Sequence, residues 1–237
     1  QRVEAAIREA FPGARVARLD RDTTGRRGAL ESIVGRFRRR EVDVLVGTQM
    51  IAKGHDFPFV TLVGVVSADI GLRVADFRAG ERTFQLLTQV AGRAGRGDEA
   101  GEAIVQTIHP RHYTIAHAMR QDYPAFFADE IEFRRTMRYP PLVAMVNLIV
   151  RGPSLGAALD LASELAGALA ARADTGGFRV VGPAPAPYTK LRGEHRAQLF
   201  LKGARRQPMK DAIRAALATL GERKRKVTVD VDPVNMM

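Results

Sequence analysis

Apolar residues recur at Val3, Ala6, Ile7 and Ala10, a 3.6-residue spacing that predicts a helix closed by the breakers Phe11-Pro12-Gly13. Residues 15–19 alternate like a short strand, and the polar run 20–25 predicts a loop. A second helix presents Leu30, Ile33, Val34 and Phe37 on one face and ends in Arg38, Arg39 and Arg40. Continuous apolar runs predict strands at 42–46, 60–66 and 102–107, separated by a loop to Pro58 and by a helix over 81–94; residues 69–79 carry no clear period. Strands alternating with helices imply a parallel sheet covered by helices.

A helical linker is predicted over 112–137, stopped by Tyr139-Pro140-Pro141, because consecutive prolines cannot continue a helix. Beyond it the pattern predicts strand 142–151, helix 154–172, strand 178–181, strand 196–202, helix 206–220 and strand 227–231. That order is βαββαβ, the ferredoxin-like arrangement. Pro183 to Pro187 begins the connection between the two middle strands. Leu155, Leu159, Ala162, Leu165 and Leu169 form an apolar stripe that reads as core. The fold class is therefore α/β: a lobe over 1–110, a helical linker over 111–140, and a small α+β domain over 141–237.

Charge adds a partner class. The 37 bases against 26 acids give a net charge of +11, and 31 of the bases are arginine. The excess is +4 over residues 1–138 and +7 over 139–237, so the smaller domain is the more basic. Such a surplus points to a polyanion. The chain has no cysteine, which excludes disulfides and thiolate metal sites within it and fits a reducing compartment. No apolar run reaches the roughly 20 residues of a membrane helix. The chain starts at Gln1, inside a helical pattern and with no signal peptide before it, and reads as a fragment or processed chain.

Two motifs carry chemistry. Gln89-Val90-Ala91-Gly92-Arg93-Ala94-Gly95-Arg96 closes the predicted helix over 81–94. Arg93 and Arg96, three apart on one helical face, suit the charge that develops on a transferring phosphoryl group. Thr48, Gln49, Lys53, Gly54 and Asp56 leave the carboxyl end of a strand, where ligand sites gather in open α/β sheets. Thr48 and Gln49 can donate to phosphate oxygens.

In order and spacing these strings resemble motifs V and VI of superfamily 2 helicases. Asp76-Phe77-Arg78-Ala79-Gly80-Glu81-Arg82, Tyr139-Pro140-Pro141, Val181-Gly182-Pro183-Ala184-Pro185 and Val229-Asp230-Val231-Asp232-Pro233 extend the likeness over essentially the whole chain. The family resembled is PriA, the bacterial replication-restart helicases. The resemblance implies a RecA-like second helicase lobe followed by a C-terminal domain. It also implies an ATP-driven 3′→5′ DNA helicase that acts on stalled forks and D-loops and initiates primosome assembly.

Carried over by residue, Arg93 and Arg96 meet the phosphates of ATP held with Mg on the other lobe, and Gln89 orients the nucleotide or the attacking water. Gly54 and Asp56 couple nucleotide to DNA, while Thr48, Gln49 and Lys53 hold the tracked strand. Asp20, Arg21 and Thr23 fall at the weakly defined motif IV. Lys190, Arg192 and Arg196 supply charge to DNA, and Arg196 with Gln198 matches a stretch that helps bind the acidic tail of single-stranded-DNA-binding protein. Glu194, His195 and Ala197 depart from that stretch. The family's zinc would lie outside this chain, and no metal site is expected within it. No G-x-x-x-x-G-K-[ST] loop occurs, so the chain alone is expected not to hydrolyse ATP. The implied setting is a cytoplasmic, nucleoid-associated monomer without a membrane, partnered by forks, D-loops, single-stranded DNA and other primosome proteins. The alternative reading is a non-catalytic nucleic-acid-binding module that retains a helicase-like lobe. His109, His112 and His117 read as solvated or capping, Asp230 and Asp232 as surface acids, and residues 222–226 as a solvated turn.

Overall fold

A computed structural model describes residues 2–20, 28–48, 57–92 and 100–236. The chain divides into two compact units, residues 1–70 with 82–122 and residues 71–81 with 123–237.

The first unit opens with helix α1 (Arg2–Ala10), strand β1 (Val16–Leu19), helix α2 (Ala29–Arg38) and strand β2 (Val44–Gly47). β1 and β2 pair in parallel, from Val16 opposite Val44 to Leu19 opposite Gly47. Strand β3 (Leu62–Val65) is followed by the short helix α3 (Asp69–Leu72), helix α4 (Ala79–Ala91) and strand β4 (Glu102–Val105). β3 and β4 also pair in parallel. Parallel pairs need long crossovers, which α2 and the stretch from α3 to α4 provide. Val34, Phe37, Val42 and Phe57 form a buried cluster, with the Phe37 and Phe57 rings edge to face at 4.9 Å.

The apolar pattern over 112–137 resolves into two helices, α5 (Tyr113–Arg120) and α6 (Tyr123–Met137). The break sits at Gln121, which adopts a left-handed φ of 54° and closes α5 through its N–H to the Ala118 carbonyl. Pro124 then falls in the first turn of α6, where its missing N–H costs nothing.

In the second unit follow strand β5 (Ala144–Gly152), helix α7 (Leu155–Ala170), the short helix α8 (Ala173–Gly176), strands β6 (Phe178–Leu191) and β7 (Glu194–Gly203), helix α9 (Arg206–Thr219), a 3₁₀ turn (Gly221–Lys226) and strand β8 (Val227–Val231). The sheet order is β6-β7-β5-β8, antiparallel at every pairing. Val146, Leu148 and Val150 of β5 and Leu199 and Leu201 of β7 are sealed on one face with Ala162, Leu165 and Leu169 of α7 and Met209 and Ile213 of α9. Alternation along each strand sends Asn147, Arg151, Arg196 and Gln198 to the other face.

β6 runs much further than the predicted 178–181. It continues through Pro183, Pro185 and Pro187, with register shifts after Val181 and after Pro185. Prolines are tolerated there because β6 is an edge strand, where missing donors leave no ladder bond unmade. The hairpin to β7 turns on Arg192 and Gly193, at φ 52° and 85°. Two successive positive φ values are what a tight hairpin turn requires.

Candidate functional site

Ser154 opens α7 by accepting from the Ala157 amide, and His112 caps α5 by accepting from the Thr114 amide at 3.3 Å. The histidine thus has the capping role that its sequence position suggests. Asp232 pairs with Arg206, and Asp230 lies on the surface-facing β8, so neither acid stands in a catalytic pair.

In the first unit the register sets the carboxyl ends of β1 and β2 side by side. Asp20 and Thr48 therefore leave the sheet at the same edge, with Asp20 paired to Arg18 at 3.1 Å and Thr48 exposed. Gln49, Lys53, Gly54 and Asp56 lie outside the described residues, as do Arg21 and Thr23. At the carboxyl end of β4, the carboxylate of Asp69 accepts from Thr107 Oγ1 at 2.8 Å and from the Ile108 amide at 3.1 Å. Burial opposes the charge on Asp69, but these hydrogen bonds outweigh it and hold the carboxyl below the usual range.

α4 buries Thr83, Phe84 and Leu87 and leaves Gln89 exposed in its last turn. Arg93 and Arg96 follow in sequence and lie outside the described residues. The start of α4 is held by two acids. Asp76 accepts from the Arg78 amide at 2.9 Å and from the Met236 amide at 3.3 Å. Glu81 accepts from Arg134 of α6 at 2.8 Å, and the same guanidinium donates to Glu130 at 2.7 Å and to the Pro140 carbonyl at 3.2 Å. Burial pulls the Arg134 pKa down, yet Glu81 and Glu130 hold it above its ordinary value. Phe77 stacks on Tyr139 with ring centroids 5.5 Å apart and lies beneath the Arg134 guanidinium. Sequence reasoning passed over Arg134, because a single arginine on a helix gives no sign of the two carboxylates it will meet.

In the second unit, Lys190, Arg192 and Arg196 come together at one end of the sheet, around the β6–β7 hairpin. Lys190 and Arg192 are exposed, whereas Arg196 is 9% exposed. Gln198 is on the same face, two residues further along β7, and its Oε1 is buried without a partner. Register adds Arg151, directly across from Arg196, which carries no motif signal in the sequence. Lys202 lies on this face at the far end of β7, its Nζ 3.7 Å from the Tyr139 ring centroid. Burial, with repulsion from Arg179 and Arg138, pushes its ammonium down to about 8. Among the described residues no cluster of three or more His, Asp or Glu could hold a metal ion, and no helix is long and apolar enough to cross a membrane.

Comparison with known proteins finds one family match in each half of the chain. Residues 1–98 match the helicase conserved C-terminal domain, and residues 135–234 match the primosomal protein N C-terminal domain. The chain is similar to the replication restart protein PriA of Bacillus subtilis, 39% identical over 243 residues covering 100% of this chain and 30% of the relative. The Haemophilus influenzae protein of the same name is 37% identical over 238 residues, covering 100% of this chain and 32% of the relative. The Synechocystis protein is 41% identical over 202 residues, covering 85% and 24% respectively. The chain thus spans about a third or less of the length of these relatives.

Proposed function

Because this chain belongs to the PriA family of replication restart proteins, we propose that it supplies the second motor lobe and the C-terminal domain of an ATP-driven 3′→5′ DNA helicase. The whole protein would recognise stalled forks and D-loops and initiate primosome assembly. The observation that carries this reading is similarity running through both units, with the arginine pair standing inside the stretch that matches the helicase domain. The parallel pairs β1–β2 and β3–β4 support a RecA-like lobe, and the order β6-β7-β5-β8 packed on α7 and α9 supports a ferredoxin-like C-terminal domain.

ATP with Mg, bound on the first lobe, supplies the phosphoryl group whose transfer drives the motor. Gln89 is exposed at the end of α4, opposite the stripe that buries Phe84 and Leu87, so its amide is free to reach a nucleotide held elsewhere. Arg93 and Arg96 would supply guanidinium donors to the negative charge that grows on the phosphoryl oxygens. Gly54 and Asp56 relay the nucleotide state to the strand held by Thr48, Gln49 and Lys53. The basic end of the second unit, with Lys190, Arg192 and Arg196, takes DNA. An acidic tail of single-stranded-DNA-binding protein would compete for Arg196 and Gln198. Cytoplasmic, monomeric action beside other primosome proteins completes the reading.

The test joins this chain to a family first lobe that carries the nucleotide loop. DNA-stimulated ATPase is expected, and Arg93→Ala or Arg96→Ala should reduce it by about 10³-fold or more. Full activity in a folded Arg93→Ala protein would refute the arginine role. A joined protein that binds DNA and never hydrolyses ATP would favour the non-catalytic module.

A further inference from the structure

The carboxyl end of β7 carries Lys202, which is 9% exposed, whereas Lys190, Lys210, Lys224 and Lys226 are all exposed. Antiparallel register sets Met145 of β5 on one side of it and Arg179 of β6 on the other. Met145 and Phe200, two residues back along β7, are sealed with Phe77 in a small apolar cluster, and Tyr139 packs against it. The Lys202 Nζ rests 3.7 Å from the Tyr139 ring centroid. Its hydrogen bond to the Met137 carbonyl is long, at 3.4 Å.

A buried ammonium normally meets a carboxylate. Lys202 forms no ion pair with any described residue, and the charges that act on it are cations, Arg179 across the strand pair and Arg138 in the turn after α6. Asp232, whose amide donates to the Met145 carbonyl, gives its carboxylate to Arg206 instead. Met137, Arg138 and Arg179 are exposed, so solvent reaches the mouth of the site. Neither the Arg138 nor the Arg179 guanidinium is engaged by a described residue. Two unspent forks therefore stand beside an amine held in apolar surroundings. Such an amine is a nucleophile, and a guanidinium fork matches a phosphate.

We infer that Lys202 is a modification site for acyl phosphates, the mixed anhydrides of a carboxylic acid and phosphate, with Arg138 and Arg179 taking the phosphate. The Nζ lone pair adds to the acyl carbon, and the bond from that carbon to the phosphate oxygen breaks. Phosphate leaves with the electron pair and with the proton displaced from Nζ. The products are a neutral amide on Lys202 and hydrogen phosphate, and the positive charge over the Tyr139 ring is lost. The step uses neither the missing lobe nor DNA, so it stands or falls apart from the helicase reading. Burial and repulsion push the lysine down to about 8. At pH 7.5 that leaves roughly a quarter of it as free amine, against about 0.1% for an ordinary lysine. Lower basicity gives back about tenfold of that advantage by the Brønsted relation, which leaves Lys202 ahead on the order of tenfold.

The test incubates the folded chain with acetyl phosphate at pH 7.5 and follows each lysine by peptide mass spectrometry. Lys202 should be acetylated on the order of tenfold faster than Lys190, Lys210, Lys224 or Lys226. In guanidinium chloride strong enough to unfold the chain, the advantage should vanish. A Lys202 that lags or merely equals the exposed lysines in the folded chain would overturn the site, and an advantage that survives unfolding would overturn its structural origin. The double variant Arg138→Gln with Arg179→Gln, established as folded by thermal unfolding, tests the phosphate contact. It should slow acetylation of Lys202 by acetyl phosphate several-fold more than acetylation by N-hydroxysuccinimide acetate, which carries no phosphate. Equal slowing with the two reagents, or none, would overturn acyl phosphates as the donor class.

Discussion

Replacing Arg134 with methionine should unsettle the whole second unit. The arginine side chain is 9% exposed, and its partner Glu130 is 7% exposed. Two charge-assisted hydrogen bonds, at 2.7 and 2.8 Å, and one to a carbonyl at 3.2 Å are lost together. Methionine retains much of the apolar stem, so the deficit is chiefly electrostatic. The Glu130 carboxylate loses its counter-ion in a buried place, and breaking a buried pair in this way costs about 3–5 kcal/mol. For a unit of this size the melting temperature should fall on the order of 10 °C. Differential scanning calorimetry of Arg134→Met, Glu130→Gln and the double variant gives the comparison. The double variant should be at least about 1 kcal/mol more stable than the two single losses added together, because it leaves no charged carboxylate buried at position 130, and Glu81, which also loses Arg134, is partly exposed. An Arg134→Met protein within about 0.5 kcal/mol of the parent, or strict additivity, would refute the reasoning.

Two hydrogen bonds from the Arg15 guanidinium, and a third from its backbone amide, hold the Asp43 carboxyl down to about 2; its contribution is present above the ordinary 3.8 and lost as pH falls through about 2. In Arg15→Ala, which keeps only the amide bond, a carboxyl NMR titration should show the Asp43 pKa raised toward the ordinary range. Lys202 has its folded pKa depressed from 10.5 to about 8, so the unfolded chain binds the extra proton between those values and stability should rise with pH across that window. Denaturant unfolding at pH 8 and 10 should show the rise, and Lys202→Met should abolish it. A Cβ at Gly152 would come 2.8 Å from the Ala158 nitrogen, in backbone that cannot shift cheaply. Gly152→Ala should therefore cost about 1–3 kcal/mol in the same assay.

Much of the fold was legible in the sequence because burial writes a period. The stripe through Ala162, Leu165 and Leu169 became core, and the apolar runs at 42–46, 60–66 and 102–107 became β2, β3 and β4. Two features escaped. The break at Gln121 depends on a left-handed residue that is neither glycine nor asparagine, and the length of β6 depends on its edge position, which composition does not state. Of the site, Gln89 and Thr48 are exposed, and Lys190, Arg192 and Arg196 lie at one end of the sheet, Lys190 paired with His195 rather than with Arg196. Arg151 was invisible, because only strand register reveals what faces Arg196. Arg134 was invisible for a related reason, since Glu81 lies 53 positions away along the chain.

On the proposed function, this chain would be the DNA-handling, arginine-bearing part of a helicase whose nucleotide site needs another lobe. Anisotropy of the pure chain with a labelled fork and a matched duplex, across a salt series and with ATPase read in the same tubes, tests it most directly. Binding should weaken steeply with salt, as counterion release requires, with no turnover. ATP hydrolysis by the pure chain, or no DNA binding even at low salt, would contradict it.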